Sequence, residues 1–122
     1  MLETADPTLP SWFVPKAERD KPEGEQTRFK IRGLLGTEAM DVNFVQDDLG
    51  GGLSMTARGG NACLKHGLLA WENHKDAKTG QPAEYDDKNW RRNVERMRPE
   101  LNIELALAIW DKTFLSGEQE KN

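Results

Sequence analysis

The chain has little of the chemistry that metal sites and active sites require, because its only cysteine is Cys63 and its only histidines are His66 and His74. One cysteine excludes an intrachain disulfide, and nothing favours an oxidising compartment. Cys63 and His66 have the i, i+3 spacing that could begin a zinc site or a nucleophilic pair. The further ligands would be His74 and Asp76 in a loop, and no third orienting group is evident. We therefore expect no metal site, no cofactor, no catalytic residue and no enzymatic activity.

The chain is also short of residues that could form a core: 36% are hydrophobic and 31% are charged. The shortage is concentrated at the ends, where prolines and charged residues dominate residues 1–27 and polar residues dominate 116–122. Such segments cannot bury enough apolar surface to offset the cost of ordering the chain. We predict an extended or mobile arm over 1–27, a single helical domain over 28–115 and a flexible tail over 116–122.

Long hydrophobic runs and an excess of positive charge are absent too. The mainly apolar stretch 101–115 is interrupted by Asn102, Glu104, Asp111 and Lys112 and is too polar to span a bilayer, and the first residues do not have the pattern of a signal peptide. The formal net charge of −4 argues against a nucleic-acid-binding protein, whose affinity depends on Lys and Arg. We expect a cytoplasmic protein with neither a membrane nor a nucleic acid as its partner.

The hydrophobic pattern predicts a mainly α fold with one short N-terminal β element. Residues 27–32 alternate with period two and predict a strand. A helix is predicted from Thr37 to Val45, and another from Leu53 onward, in which the apolar residues repeat at i, i+4 and i+7. That repeat consists of Leu64, Leu68 and Trp71. After a loop over 74–87, a helix capped by Asp86 or Asp87 is predicted to carry Trp90, Val94 and Met97.

The last predicted helix begins with Pro99 in its first turn and is apolar on two sides. One side carries Leu101, Leu105, Ala108 and Ile109. The other side carries Ile103, Leu107, Trp110 and Phe114. A helix that is apolar on two faces must bury both, within its own fold or against a partner. We interpret the second face, Ile103 to Phe114, as a candidate protein interface.

Two further groups of residues allow more than one interpretation. Trp12 and Phe13 lie in an apolar segment beside prolines, which either packs back on the body or serves as a second partner-binding anchor. Four arginines would form a basic helix face that is solvated and paired with local acids, or that binds an acidic protein, or that binds nucleic acid. These are Arg91, Arg92, Arg96 and Arg98.

The order of the sequence pieces carries a resemblance to a known family. Phe29-Lys30-Ile31-Arg32-Gly33-Leu34 comes first, Trp71-Glu72-Asn73 is followed by Gly80-Gln81-Pro82, and Leu115-Ser116 precedes Glu120-Lys121-Asn122. In this order, over residues 11–122, the chain resembles the tail assembly chaperones of long-tailed bacteriophages. Gly59-Gly60 inside an expected helix and the basic face at 91–98 depart from the family.

The resemblance implies a protein that coats the tape measure protein in the host cytoplasm, keeps it soluble before the tail tube forms, and is absent from the mature virion. It also implies self-association and a longer form made by ribosomal frameshifting, with which Lys121-Asn122 is compatible. Two other functions remain open at this point. One is a virion structural protein for tail completion or head–tail joining, and the other is a small nucleic-acid-binding regulator that uses the arginine face.

Overall fold

The computed structural model describes residues 6–42, 44–46 and 53–114. The strands in this part are β1 (Ser11–Phe13), β2 (Arg28–Ile31), β3 (Phe44–Gln46), β4 (Leu53–Met55) and β5 (Leu68–Glu72). The α-helices are α1 (Gly36–Ala39), α2 (Ala57–Gly67), α3 (Trp90–Glu95) and α4 (Pro99–Phe114). Short 3₁₀ turns lie at Lys16–Glu18 and Glu23–Glu25. The predicted tail, 116–122, falls outside the described residues.

The fold class is α+β, and the prediction of a mainly α protein is wrong. The described part of the chain has four α-helices and five strands, and three of the strands form an antiparallel sheet in the order β1-β2-β5. The strands β3 and β4 form a separate antiparallel pair. Only β2 was predicted as a strand, so the sheet is assembled largely from segments whose sequence pattern was ambiguous.

The largest error concerns the segment that contains β5. The spacing of Leu64, Leu68 and Trp71 predicted one continuous helix, but α2 ends at Gly67 and the chain continues as a strand from Leu68. A short apolar run fits both periods, so periodicity alone cannot decide between them. Pairing with β2 decides, since Phe29 lies opposite Trp71 and both side chains are buried.

The predicted helix from Thr37 to Val45 is also wrong in extent, and so is the helix predicted to start at Leu53. The helix α1 begins one residue earlier, at Gly36, and ends at Ala39, and Phe44 then opens β3, which pairs with β4. Glu38 accepts a hydrogen bond from the N–H of Leu35 at 2.8 Å, so the acidic side chain satisfies an amide at the helix start.

The N-cap of α3 also differs from the prediction. Asn89, rather than Asp86 or Asp87, caps this helix by accepting a hydrogen bond from the N–H of Arg92 at 3.2 Å.

The core lies between the sheet and the pair α2 and α4, which pack against each other. Their close approach depends on glycine: a Cβ atom at Gly67 would lie 2.5 Å from Ile109 Cγ2 and 2.9 Å from the carbonyl oxygen of Arg32. Gly60 also faces α4, with 3.9 Å between a built Cβ and the Cβ of Ala106. Gly59-Gly60 departed from the expected helix pattern, and Gly60 lies on the side of α2 that packs against α4.

Residues 6–27 contain β1 and the two 3₁₀ turns, and side chains of the body contact this segment. Asn73, which has a left-handed backbone with φ of 57°, donates from Nδ2 to the carbonyl oxygens of Gly24 and Gln26 at 3.2 and 3.1 Å. The amide of Lys16 donates to Glu104 Oε2 of α4 at 3.1 Å. The N–H of Gly33 donates to the carbonyl oxygen of Pro7.

Candidate protein-binding surface

The solvent side of α4 is apolar at its centre. Ile103 is 61% exposed, Leu107 is 44% exposed and Phe114 is 61% exposed, although they are among the largest apolar side chains of the helix. At 100° per residue these positions lie within about 40° of one another around the helix axis. On the far side, Leu105 and Ile109 are 0% exposed and belong to the core. We call the group Ile103, Leu107, Trp110 and Phe114 the apolar stripe.

Trp110 differs from the other members of the apolar stripe because it is half-buried and closes one edge of it. Its ring lies 5.2 Å from the ring of Phe44 in β3 and 4.7 Å from the ring of Phe114, measured between centroids. Aromatic rings at these distances attract one another beyond their area of contact. Trp110 therefore joins the stripe to the β3–β4 pair, and its replacement would disturb the fold as well as the surface.

Trp12 and Phe13, the secondary anchors, lie on opposite faces of the sheet. Phe13 pairs with Phe29 and contacts the core, so its ring is partly withdrawn from solvent. Trp12 pairs with Lys30 on the other face and is 41% exposed. The guanidinium of Arg28 lies 4.7 Å from the centre of the Trp12 ring and pairs with Glu72. The structure therefore does not bring these two side chains together as one anchor.

Sequence reasoning missed Leu35, which is 52% exposed and lies near the end of α4. The N–H of the preceding residue, Leu34, donates to Thr113 Oγ1 at 2.9 Å, which fixes this segment beside the C-terminal turn of the helix. Leu34 itself is buried. Two consecutive leucines after a strand were the available signal, since adjacent residues in extended chain face opposite directions and only one can point inward.

The four arginines of the proposed basic face do not act as one surface. Arg96 lies 3.8 Å from Asp76 and donates to the carbonyl oxygen of Glu84 at 2.7 Å, so it is tied to the loop before α3. Arg92 lies 3.8 Å from Asp86. Arg91 lies over the ring of Trp90 at 5.3 Å from its centre. The remaining one, Arg98, lines a cleft beside α4.

Cys63 and His66 point into different surroundings. Cys63 is completely buried, and burial raises the pKa of its thiol to about 11, so the reactive thiolate is disfavoured. His66 Nδ1 instead faces Glu38 Oε2 at 3.2 Å. Across residues 6–42, 44–46 and 53–114, no three His, Cys, Asp or Glu side chains are arranged to hold a metal ion.

His74 is buried at the edge of an open cleft of about 1030 Å³ between residues 15–29 and the start of α4. Its ring lies 5.5 Å from Phe29 and 4.7 Å from Trp71, and its Nε2 atom has no hydrogen-bond partner. Burial lowers the pKa of His74, which favours the neutral ring. These contacts make His74 part of the aromatic cluster beneath the sheet.

None of the helices in the described ranges is long and apolar enough to cross a membrane. No protein-family model, curated protein or solved structure matches this chain significantly.

Proposed function

We propose that this protein is a tail assembly chaperone of a long-tailed bacteriophage that binds the tape measure protein through the apolar stripe of α4 and keeps it soluble. The observation that carries the proposal is the exposure of Ile103, Leu107 and Phe114 at the centre of the solvent side of that helix. The order of sequence motifs described above supplies the identity of the partner.

The chemistry of the stripe suits this role. Burying a fully exposed Leu, Ile or Phe side chain contributes about 1.5–3 kcal/mol. Ile103, Leu107 and Phe114 are 61%, 44% and 61% exposed, so about half of that value remains for each when a partner covers them. An amphipathic helix that lays its apolar face along another helix uses anchors at i, i+4 and i+7. Ile103, Leu107, Trp110 and Phe114 have this spacing, and a long helical partner offers many matching stripes.

Co-expression with the tape measure protein tests the proposal. That protein is expected to be encoded by a very long, helix-rich reading frame just downstream. We expect the wild-type chain to bring it into the soluble fraction and to co-purify with it. The variant Ile103→Ser/Leu107→Ser/Phe114→Ser should lose both effects, because serine removes the apolar surface and leaves the core of α4 intact.

A matched control keeps this test specific. The variant Leu9→Ser/Met40→Ser also removes exposed apolar side chains, which are 60% and 83% exposed, but it leaves α4 unchanged. We expect it to bind like the wild type. Circular dichroism should show that all three proteins are folded with similar helix content, and urea unfolding should show that each remains fully folded under the binding conditions. Full binding by the serine variant of α4 would refute the proposed use of the stripe.

Mass spectrometry of finished particles separates a chaperone from a virion structural protein. We propose that the chain acts in the host cytoplasm and leaves before the tail is complete, so its peptides should be absent from purified virions. Stoichiometric peptides in the particle would instead assign it to tail completion or head–tail joining.

A further inference from the structure

We infer that the segment bound by the apolar stripe is an amphipathic helix with Lys or Arg along one flank of its own apolar face. This inference rests on the proposed function and deepens it, since it names the charge pattern of the partner. The observation behind it is a row of carboxylates that runs along one side of the stripe and has no counterpart on the other side.

The row consists of Glu100, Glu104 and Asp111, which we call the acidic flank. On a helix, residues three and four apart are neighbours. Ile103 therefore lies beside Glu100, and Leu107 lies between Glu104 and Asp111. Glu100 and Asp111 are exposed and Glu104 is half-buried. From Glu100 to Asp111 the flank is about 16 Å long, which equals the distance from Ile103 to Phe114.

No Lys, Arg or His side chain within the described ranges forms an ion pair with a carboxylate of the acidic flank. Glu104 uses one oxygen to accept the backbone amide of Lys16. The single basic residue of α4, Lys112, is placed about 180° around the helix from Ile103. Arg98 lines the same cleft as Glu100 and Glu104, but it forms no ion pair with either of them within 4 Å, so these carboxylates can still attract a cationic partner.

The other flank of the stripe carries no charge. At this edge the stripe ends with Trp110, which packs against Phe44, and the next residue around the helix is Ala106, which is buried. A partner helix that lies on the stripe thus meets carboxylates on one side and aromatic or small side chains on the other. Reversing the direction of such a helix exchanges its flanks, so the acidic flank also selects one direction of binding. Charges beside an apolar seam set partner choice and orientation in coiled coils by the same means.

Charges at the rim of an interface act mainly on the rate of association and on its salt dependence, and apolar anchors act mainly on dissociation. The inference therefore predicts a kinetic division of roles in α4. The acidic flank attracts and orients a cationic helix, and the apolar stripe holds it.

Synthetic peptides test this division with the full-length chain. Three helical peptides share one Leu/Ile stripe and carry Lys, Gln or Glu at the same positions along one flank. Stopped-flow fluorescence at low and high salt measures association. We expect the Lys peptide to associate about tenfold faster than the Gln peptide at low salt, the Glu peptide to associate more slowly than the Gln peptide, and the differences to shrink at high salt.

The variant Glu100→Lys/Asp111→Lys should reverse the order of the three peptides. Its matched control, Asp41→Lys/Asp87→Lys, changes the net charge equally at exposed positions that lie outside α4 and do not line the cleft beside the acidic flank, and it should keep the wild-type order. If both variants behave alike, the preference comes from net charge and the inference is wrong. If all three peptides bind the wild type at one rate, the inference about charge is wrong, and binding through the apolar stripe is still supported. If none binds, the proposed function fails as well.

Discussion

The two sides of α4 have similar residues and opposite surroundings. Ile109 is 0% exposed and Ile103, the same residue type six positions earlier, is 61% exposed. The buried side meets α2, whose Gly67 allows the two backbones to approach closely. On the other side, nothing in the described part of the chain covers Ile103 or Phe114. Apolar composition alone therefore does not make a helix face part of the core, because burial also requires a neighbouring element of complementary shape.

The largest expected effect comes from changing the same residue type on both sides. Ile109→Ala should lower the free energy of unfolding by about 2–5 kcal/mol, because it leaves a cavity between α2 and α4. Ile103→Ala should change it by less than about 0.5 kcal/mol, since the side chain is mostly in solvent. Urea denaturation measures both values. Equal losses would mean that the exposed side contributes to the core after all.

Glu38→Gln weakens the body without touching either side of α4. Glu38 accepts two hydrogen bonds from Arg32, at 2.9 Å each, and faces His66. These hydrogen bonds from Arg32 are the main reason why the pKa of Glu38 falls from 4.5 to about 2. We expect a loss on the order of 2–3 kcal/mol at neutral pH, with binding at the apolar stripe unchanged.

The stability that Glu38 contributes should decrease as the pH falls. Since the pKa of Glu38 is lower in the folded chain, its contribution is complete above about pH 4.5 and is lost as the pH falls toward 2. The wild type should lose this stability over that range, and Glu38→Gln should show a flatter curve there. Thermal unfolding at a series of pH values measures the difference. Parallel curves would rule out Glu38 as the source.

Gly67→Ala tests why one side of α4 is buried. The added Cβ would lie 2.5 Å from Ile109 Cγ2 and 2.9 Å from a backbone oxygen that cannot move freely. We expect a loss of about 1–3 kcal/mol from overpacking, measured by urea denaturation. Unchanged stability would show that α2 and α4 can separate at no cost.

Gly60→Ala tests the same packing of α2 against α4, and it should raise stability slightly where Gly67→Ala lowers it. A Cβ atom at this position makes only ordinary contacts, at 3.9 Å to Ala106 and 4.0 Å to Met55. Alanine is favoured over glycine in a helix interior, so stability should rise by about 1 kcal/mol. A loss instead would mean that α2 and α4 are closer at Gly60 than the contacts indicate.

The elements that were predicted well have a hydrophobic pattern that is long, or one that fits only a helix or only a strand. Phe29 and Ile31 alternate with charged residues in β2 and are both buried. The helix α4 begins at Pro99 as predicted, because proline fits the first turn and the following pattern extends over many residues. The strands that were not predicted, β1, β3, β4 and β5, are three to five residues long. At that length a strand depends on the partner it pairs with.

Some features of the candidate surface could likewise be predicted from the sequence, and others could not. The sequence indicated that Ile103, Leu107, Trp110 and Phe114 lie along one side of a helix, because helical spacing is a local property. It did not indicate that Trp110 packs on Phe44, or that Trp12 and Phe13 face opposite ways, because both depend on pairing between distant segments. The position of Leu35 near the end of α4 was not predictable either, because it depends on the hydrogen bond between Leu34 and Thr113, which are far apart in the sequence.

The sequence by itself determined that α4 is apolar on two sides and that a row of carboxylates runs beside one of them, since 3.6 residues per turn places them there. Only the tertiary structure decided which side is covered. The approach of Gly67 to Ile109 and the pairing of β5 with β2 bring α2 and the sheet to one side of α4. Burial is a relation between segments that are distant in the sequence, and a local pattern does not contain it.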